Sequence, residues 1–257
     1  MARQIDLNSD LGEGFGPWTM GEDAQMLSLV TSANIACGGH ASDPETIFQT
    51  LTQAAQKGVI VGAHPGYNDR EGFGRRIIPM TPAEIGRMVA AQIGALIGVS
   101  ALVSVCVSYV KPHGALANLA ARDMDVARAI AQAIVAQEAD LDILAISGTA
   151  LEQAARDEGL RVHSEIFADR AYQSNGQLVP RDQPGAVIHD ARAASDRLLA
   201  FLDTGLMPVL DGDPIPLTAH SICVHGDSPG AVSMARLIRD DLSAAGVQLA
   251  GFVTDSA

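Results

Sequence analysis

Short apolar runs recur along this chain, and one after another they give way to polar residues and then a glycine or proline. These runs predict strands over residues 5–8, 32–37, 59–64, 103–110, 141–147, 161–168 and 221–225. Between most of them lie alanine-rich segments with apolar residues at helical spacing, which predict helices over 43–57, 82–98, 122–137, 150–158, 190–202 and 229–245. The boundaries carry suitable residues. Ser42-Asp43-Pro44-Glu45 and Thr81-Pro82 pair an N-cap candidate with a first-turn proline, and Gly58 and Gly246 stop the helices they follow.

Seven such alternations, joined by right-handed β-α-β crossovers, build a parallel sheet. Nothing in the composition parts the chain into two domains. The expectation is a single seven-stranded β/α barrel over residues 1–257, of the TIM-barrel-like α/β class, with a doubly wound open sheet as the alternative. Residues 207–217, with Asp211-Gly212 as the turn, read as a β-hairpin inserted before the last strand. The stretch 169–187 is a long loop rich in Gly, Pro, Arg and Gln, the composition of a lid or binding loop.

Composition narrows the partners. Hydrophobic residues make up 47% of the 257 but aromatics only 4%, so the core must be filled by Ala, Val, Ile and Leu, as in helix-covered parallel strands. Thirty acidic against 17 basic residues give a formal net charge of −13, which disfavours nucleic acid and anionic membranes. No apolar run is read as bilayer-spanning, and the start shows no signal-peptide core, so a cytoplasmic location is expected. Cys37, Cys106 and Cys223 form no CxxC pair and are expected to be buried free thiols.

The polar strand ends carry the chemistry. Asp6, Asn8 and Asp10 alternate, so on a strand they share one face. Inside a barrel that face is the interior, where a carboxylate needs a partner or a task. Asp10 is a candidate general base or metal ligand, or else a turn cap, and Glu13 lies close enough in sequence to join either role. His40, His64, His113 and His225 fall at four different strand ends, whereas His163, His189 and His220 read as structural or surface residues. The four are candidates for ligands of a divalent metal together with Asp10, or for acid–base and oxyanion groups without metal. Lys111, held extended by Pro112, would put fixed positive charge beside an anionic substrate. Arg75, Arg76, Arg170 and Arg181 are candidates for carboxylate or phosphate recognition, or for surface ion pairs. Cys37 with His40 is a weaker candidate for a nucleophile than for a buried thiol. Neither GxxxxGK[ST] nor a strand-linked GxGxxG occurs, so the chain shows no nucleotide loop of its own.

Together these clusters resemble the LamB/YcsF family. The matching runs include Asp6-Leu7-Asn8-Ser9-Asp10-Leu11-Gly12-Glu13, His64-Pro65-Gly66-Tyr67, Gly72-Phe73-Gly74-Arg75-Arg76, Lys111-Pro112-His113-Gly114-Ala115-Leu116, Phe167-Ala168-Asp169-Arg170-Ala171-Tyr172 and Val224-His225-Gly226-Asp227. Two positions depart from the pattern: Ala117 stands where the family usually has Tyr, and Ser42 where Gly is common. The resemblance implies a barrel of the glycoside hydrolase and deacetylase type, acting as one subunit of an ATP-hydrolysing 5-oxoprolinase; the alternatives are a stand-alone metal-dependent deacetylase or amidohydrolase and a non-catalytic small-molecule-binding barrel. Its partners would be subunits B and C, its substrate 5-oxoproline, and ATP would be held mainly by the partners or at a shared interface. On that reading Asp10, Lys111, His113 and His225 are the expected catalytic residues. Asn8, Asn34, Arg75, Arg170 and Arg181 are the expected substrate contacts, and Asp10, His40 and His64 the candidate ligands for a divalent metal.

Overall fold

The alternation of strands and helices closes on itself in the computed structural model, which describes residues 4–228 and 230–253. In chain order the elements are β1 (Gln4–Leu11), α1 (Asp23–Met26), β2 (Ser32–Ala36), α2 (Pro44–Lys57), β3 (Ile60–His64), α3 (Pro82–Ser100), β4 (Val107–Val110), α4 (Gly114–Ala120), α5 (Met124–Val135), β5 (Asp142–Ile146), α6 (Ala150–Asp157), β6 (Val162–Phe167), α7 (Ala191–Thr204), β7 (Leu206–Met207), β8 (Ile215–Pro216), β9 (Ser221–Cys223), α8 (Ala231–Ala244) and β10 (Gln248–Leu249). Strands β1 to β6 run in sequence order, β9 follows β6, and β9 pairs back onto β1. Seven parallel strands therefore form a closed barrel, as the sequence led one to expect. Strand β10 adds a short pairing at the start of β1, and β7 with β8 form the inserted antiparallel hairpin.

Local chemistry explains the helix starts. Asp43 caps α2 by accepting from the amides of Glu45 and Thr46, with Pro44 in the first turn and Gly58 left-handed at the end. Thr81 and Glu84 form a reciprocal capping box on α3, and Asp123 and Asp190 cap α5 and α7 in the manner of Asp43. Leu7, Ile35, Val61, Val110, Ile166 and Ile222 from the strands share one apolar cluster with Leu51, Val89, Ile93, Ile130, Leu198 and Ile238 from the helices. Full burial of each such side chain contributes about 1.5–3 kcal/mol.

The barrel interior is different: alternate strand residues bring polar side chains inward. Asp6 accepts from Ser221 and Ser32, while Asn8 donates to Glu165 Oε1 (2.9 Å) and Ser221 Oγ (2.7 Å). Asn34 donates to Asn8 Oδ1 (2.7 Å) and Asp10 Oδ1 (2.8 Å) and accepts from the Tyr109 hydroxyl (2.6 Å). Gly62 is where Tyr109 crosses the barrel. A Cβ there would lie 2.2 Å from the Tyr109 ring, so no other residue fits without moving it.

Several expectations are corrected. The strand predicted over 103–110 starts only at Val107, because Ala101–Val103 is a short 3-10 turn and Ser104 has φ 55°. The helix predicted over 122–137 is α5, preceded by the unpredicted α4, whose seven residues are too few to show a period. The segment Pro82–Val103 is, by length and composition alone, long and apolar enough to cross a bilayer, which the sequence reading had not expected of any run. Here α3 buries Ile85, Val89, Ile93 and Leu96 in the apolar cluster around the barrel, as a core helix does. Cys106 is exposed, unlike Cys37 and Cys223. Pro229, from which the last helix was read, lies outside the described residues, and α8 begins at Ala231.

Candidate active site

Lys111 lies one residue beyond β4, and Pro112 keeps the chain extended there, so its side chain turns into the end of the barrel. Its Nζ is 2.9 Å from Asp10 Oδ1, 2.9 Å from Glu165 Oε1, 3.1 Å from Cys223 Sγ and 3.3 Å from Asn8 Oδ1. Lys111, Asp10 and Glu165 are 4%, 6% and 1% exposed, so little water screens their charges. Burial alone would raise the Asp10 carboxyl pKa, but His64 and Lys111 outweigh it and hold Asp10 well below its ordinary value. Burial likewise disfavours the Lys111 ammonium, yet Asp10, Cys223 and Glu165 keep it well above its ordinary value. Glu165 is raised by burial in spite of Lys111. One ammonium thus serves two carboxylates, and of the two Asp10 is held the more strongly in its ionised form.

Beside this group stand three imidazoles. His40 and His113 stack with centroids 3.6 Å apart, and His64 meets both nearly at right angles. Gly74 makes the stack fit. With φ +63° it turns as L-residues rarely do, and a Cβ would come 2.6 Å from His40 Cβ and 2.9 Å from His113 Cδ2. His40 Nε2 is 3.0 Å from Glu13 Oε1, and His64 Nε2 is 3.4 Å from Asp10 Oδ2. Burial, then the neighbouring imidazoles, push His40 and His113 well below the usual histidine range. Burial and the nearby Asp10 and Asp227 push Glu13 well above the usual glutamate range.

The histidines and carboxylates do not group as the sequence suggested. Asp10, His40 and His64 were the candidate metal ligands. The ligand-type atoms that converge, all within 4.8 Å of one another, belong to Glu13, His40, His64 and His113, while Asp10 falls in a second group with Cys223 and His225. His40 has Glu13 as its partner, and Asp10 turns one oxygen to Lys111 instead. Cys37 is a buried thiol pushed up to about 12 by burial, with its Sγ on the Ile35 carbonyl, the environment of a structural thiol.

Above the Asp10–Lys111 group opens a cavity of about 400 Å³, lined among others by Asp10, His64, Lys111, His113, Glu165, Phe167 and His225. Arg75, Arg170 and Arg181 line it too, the last two from the loop that the sequence marked as a binding loop. Arg75 pairs with Asp227, and His225 Nδ1 sits 2.8 Å from Asp169 Oδ2. Arg170 spends donors on the Val179 and Ala186 carbonyls, so it holds the loop together as well as facing the cavity. Arg76 is a surface residue paired with Asp69 and Glu71.

Asn8 and Asn34, expected as substrate contacts, lie below the cavity. Both are 0% exposed and commit their amides to the network that orients Asp10 and Glu165. Glu165, Tyr109 and Cys223 were not singled out in the sequence for this site. A hint was available for Glu165, a carboxylate in the middle of the strand His163-Ser164-Glu165-Ile166-Phe167, but that pattern alone names no partner. The two departures from the family pattern also find places. Ser42 has φ 76°, a backbone shape suited to glycine, and Ala117 lines the cavity.

Fold and site together define a parallel β/α-barrel protein with an acid–base pocket at the C-terminal ends of its strands, where such barrels carry their chemistry. The chain belongs to the LamB/YcsF family, whose profile matches residues 5–256. It is 49% identical over 248 residues to the A subunit of 5-oxoprolinase from Azorhizobium caulinodans, covering 96% of this chain and 98% of that one. Against the corresponding 5-oxoprolinase subunit of Paracidovorax citrulli it is 51% identical over 248 residues, covering 96% and 99%. Among solved structures it is similar to the lactam utilization protein from Thermus thermophilus, with a TM-score of 0.90, 42% identity and coverage of 96% and 99%. A putative cellobiose-phosphate cleavage protein from Enterococcus faecalis shares the fold, with a TM-score of 0.58 at 10% identity over 98% of each chain.

Proposed function

We propose that this chain is the ring-opening subunit of a multisubunit 5-oxoprolinase, which cleaves the lactam of 5-oxo-L-proline to L-glutamate while ATP goes to ADP and phosphate. The observation that carries this is the buried Asp10–Lys111–Glu165 group beneath a cavity that Arg75, Arg170 and Arg181 also line. The names of the relatives supply the substrate class, and the cavity supplies what that substrate needs. Its carboxylate calls for cations, which a chain of net charge −13 must concentrate locally. Its amide calls for a base, an acid and a dipole that meets the oxyanion.

Opening an unstrained five-membered lactam is a difficult amide hydrolysis. Transfer of the ATP γ-phosphoryl group to the lactam oxygen leaves ADP and a carbon open to attack. Water then adds to that carbon as Asp10 takes one of its protons. The C–N bond breaks with the electron pair and a proton going to nitrogen, and loss of phosphate to a further water completes glutamate. Asp10 suits the first proton transfer because it is held ionised. Lys111 faces the negative charge of the phosphoryl group on the attacked carbon's oxygen, and His225 donates to the departing nitrogen. This chain has neither of the common phosphate-loop patterns, so the reading assigns ATP mainly to partner subunits B and C or to a shared interface. Both co-substrates are metabolites of the cell interior, which favours a cytoplasmic complex.

The test is reconstitution. Purified chain, with and without subunits B and C, is given 5-oxoproline and ATP, and glutamate is measured. Release by the mixture but not by the chain alone is expected. Brisk ATP-dependent turnover by the chain alone would sink the division of labour, and a fully assembled complex with no turnover would sink the reaction.

A further inference from the structure

We propose that His64, His113 and Glu13 form a binding site for one divalent transition-metal ion of the zinc class. The tautomers carry the argument. His64 Nδ1 is 2.7 Å from the Lys111 carbonyl oxygen, and His113 Nε2 is 2.9 Å from the Phe73 carbonyl oxygen. A carbonyl only accepts, so each of these nitrogens bears the ring proton. In the neutral rings the other two nitrogens, His64 Nε2 and His113 Nδ1, then face each other 3.0 Å apart as lone-pair donors. Two opposed lone pairs at that distance repel unless a cation lies between or beside them.

Glu13 completes the set, its Oε1 3.6 Å from His113 Nδ1. Metal–ligand bonds near 2.1 Å space neighbouring donor atoms about 3–3.5 Å apart, so a small shift seats an ion. Two imidazoles and a carboxylate are donors that suit zinc and its neighbours more than magnesium or calcium. Asp10 Oδ2, 3.4 Å from His64 Nε2, lies on the same side. His40 plays a different part. Its ring is parallel to that of His113, so it cannot aim a lone pair at the same ion without turning, and its Nε2 instead holds Glu13 at 3.0 Å.

The outer partners of such a site are already built, as ligating histidines ordinarily require. The Phe73 carbonyl reaches His113 from a residue at φ 54°, a conformation that persists in a non-glycine residue only where surroundings hold it. His64 and His113 both line the main cavity, so an ion there is reachable from solvent and would supply a Lewis acid to that wall. The inference stands apart from the lactam reading, because binding is read without turnover.

Chelator-treated full-length protein is titrated with Zn²⁺ by calorimetry, and a second portion is loaded with Co²⁺ for visible spectroscopy. One Zn²⁺ per chain is expected, with Co²⁺ bands that disappear on chelation. His64→Ala/His113→Ala should abolish the site, His40→Ala should weaken it roughly 10–100-fold as loss of an outer partner does, and His189→Ala should bind like the native chain. Absence of stoichiometric Zn²⁺ and Co²⁺ binding by natively folded protein would overturn the proposal and leave a shared proton between the imidazoles. Equal binding by the folded double variant would overturn it as well, by placing the ion elsewhere. Should the double variant not fold, the Co²⁺ spectrum of the native chain decides, since nitrogen ligation is required of it.

Discussion

Replacing Lys111 with methionine keeps most of the side chain's apolar stem but removes the ammonium that lies between Asp10 and Glu165. Each carboxylate oxygen is 2.9 Å from Nζ, and all three groups are buried. Two unit charges at that distance attract by about 6 kcal/mol at an effective dielectric near 20. Desolvation of the ammonium offsets much of this in the native protein. Removing one partner of a buried pair leaves the other uncompensated, so the expected net loss is about 3–5 kcal/mol. In a chain of this size each kcal/mol shifts Tm by about 2–4 °C, so a fall of roughly 6–20 °C follows. The deficit depends on pH. Burial pushes Asp10 up, but His64 and Lys111 outweigh it, so Asp10 contributes stability above its unfolded pKa that is lost as pH falls through the depressed folded value. Without Lys111 that depression shrinks, and both carboxylates take up protons at higher pH. The gap between variant and native should therefore be widest near pH 7 and narrow as pH falls toward about 4. Thermal unfolding by circular dichroism at several pH values measures it. Adding Glu165→Gln to the variant removes one orphaned charge and should recover about 0.5–3 kcal/mol. Equal melting of Lys111→Met and native protein at pH 7 would refute the buried-pair reasoning.

Asp10→Asn keeps size and hydrogen bonding but cannot accept a proton, so turnover of the reconstituted complex should drop about 10²–10⁴-fold; near-normal turnover would move the base to Glu13 or Asp227. Arg181→Ala removes a cation from the cavity wall and should raise KM for 5-oxoproline about 10–100-fold while kcat holds, the worth of a charged hydrogen bond. An unchanged KM would place the substrate carboxylate elsewhere. Of the three free thiols only Cys106 is exposed, so a thiol reagent should titrate one group in the native protein and three after denaturation; rapid native reaction at Cys223 would contradict its burial under Lys111.

The fold was largely legible because its signals are local. Asp43-Pro44, Thr81-Pro82 and Gly58 mark helix ends through bonds made within a few residues, and those ends appear where they were expected. Failures came where local signal is weak. The seven residues of α4 and the two of β10 are too short for a period, and the apolar run before Val107 is divided by a turn that only neighbouring helices explain. For the site, the alternation Asp6, Asn8, Asp10 announced an interior polar face, and Lys111 and the four histidines were visible at strand ends. Which of them touch was not.

Sequence alone determined the alternation, the barrel-sized count of seven strands, the polar rim and the family pattern, because each depends on residue type and spacing along one segment. Pairing belongs to the tertiary structure. Closure of β9 onto β1 brings Cys223 and Ser221 beside Asn8, and the turn of β6 brings Glu165 to Lys111, contacts of a kind that join residues as far as 215 positions apart. Only the tertiary structure decided that Asn8 and Asn34 lie beneath the cavity, that His40 answers to Glu13 and not to Asp10, and that one ammonium must serve two carboxylates. Strand spacing says which side chains point inward. Distance across the barrel decides which of them share a proton or a charge, since buried electrostatic interactions strengthen steeply over the last few ångströms.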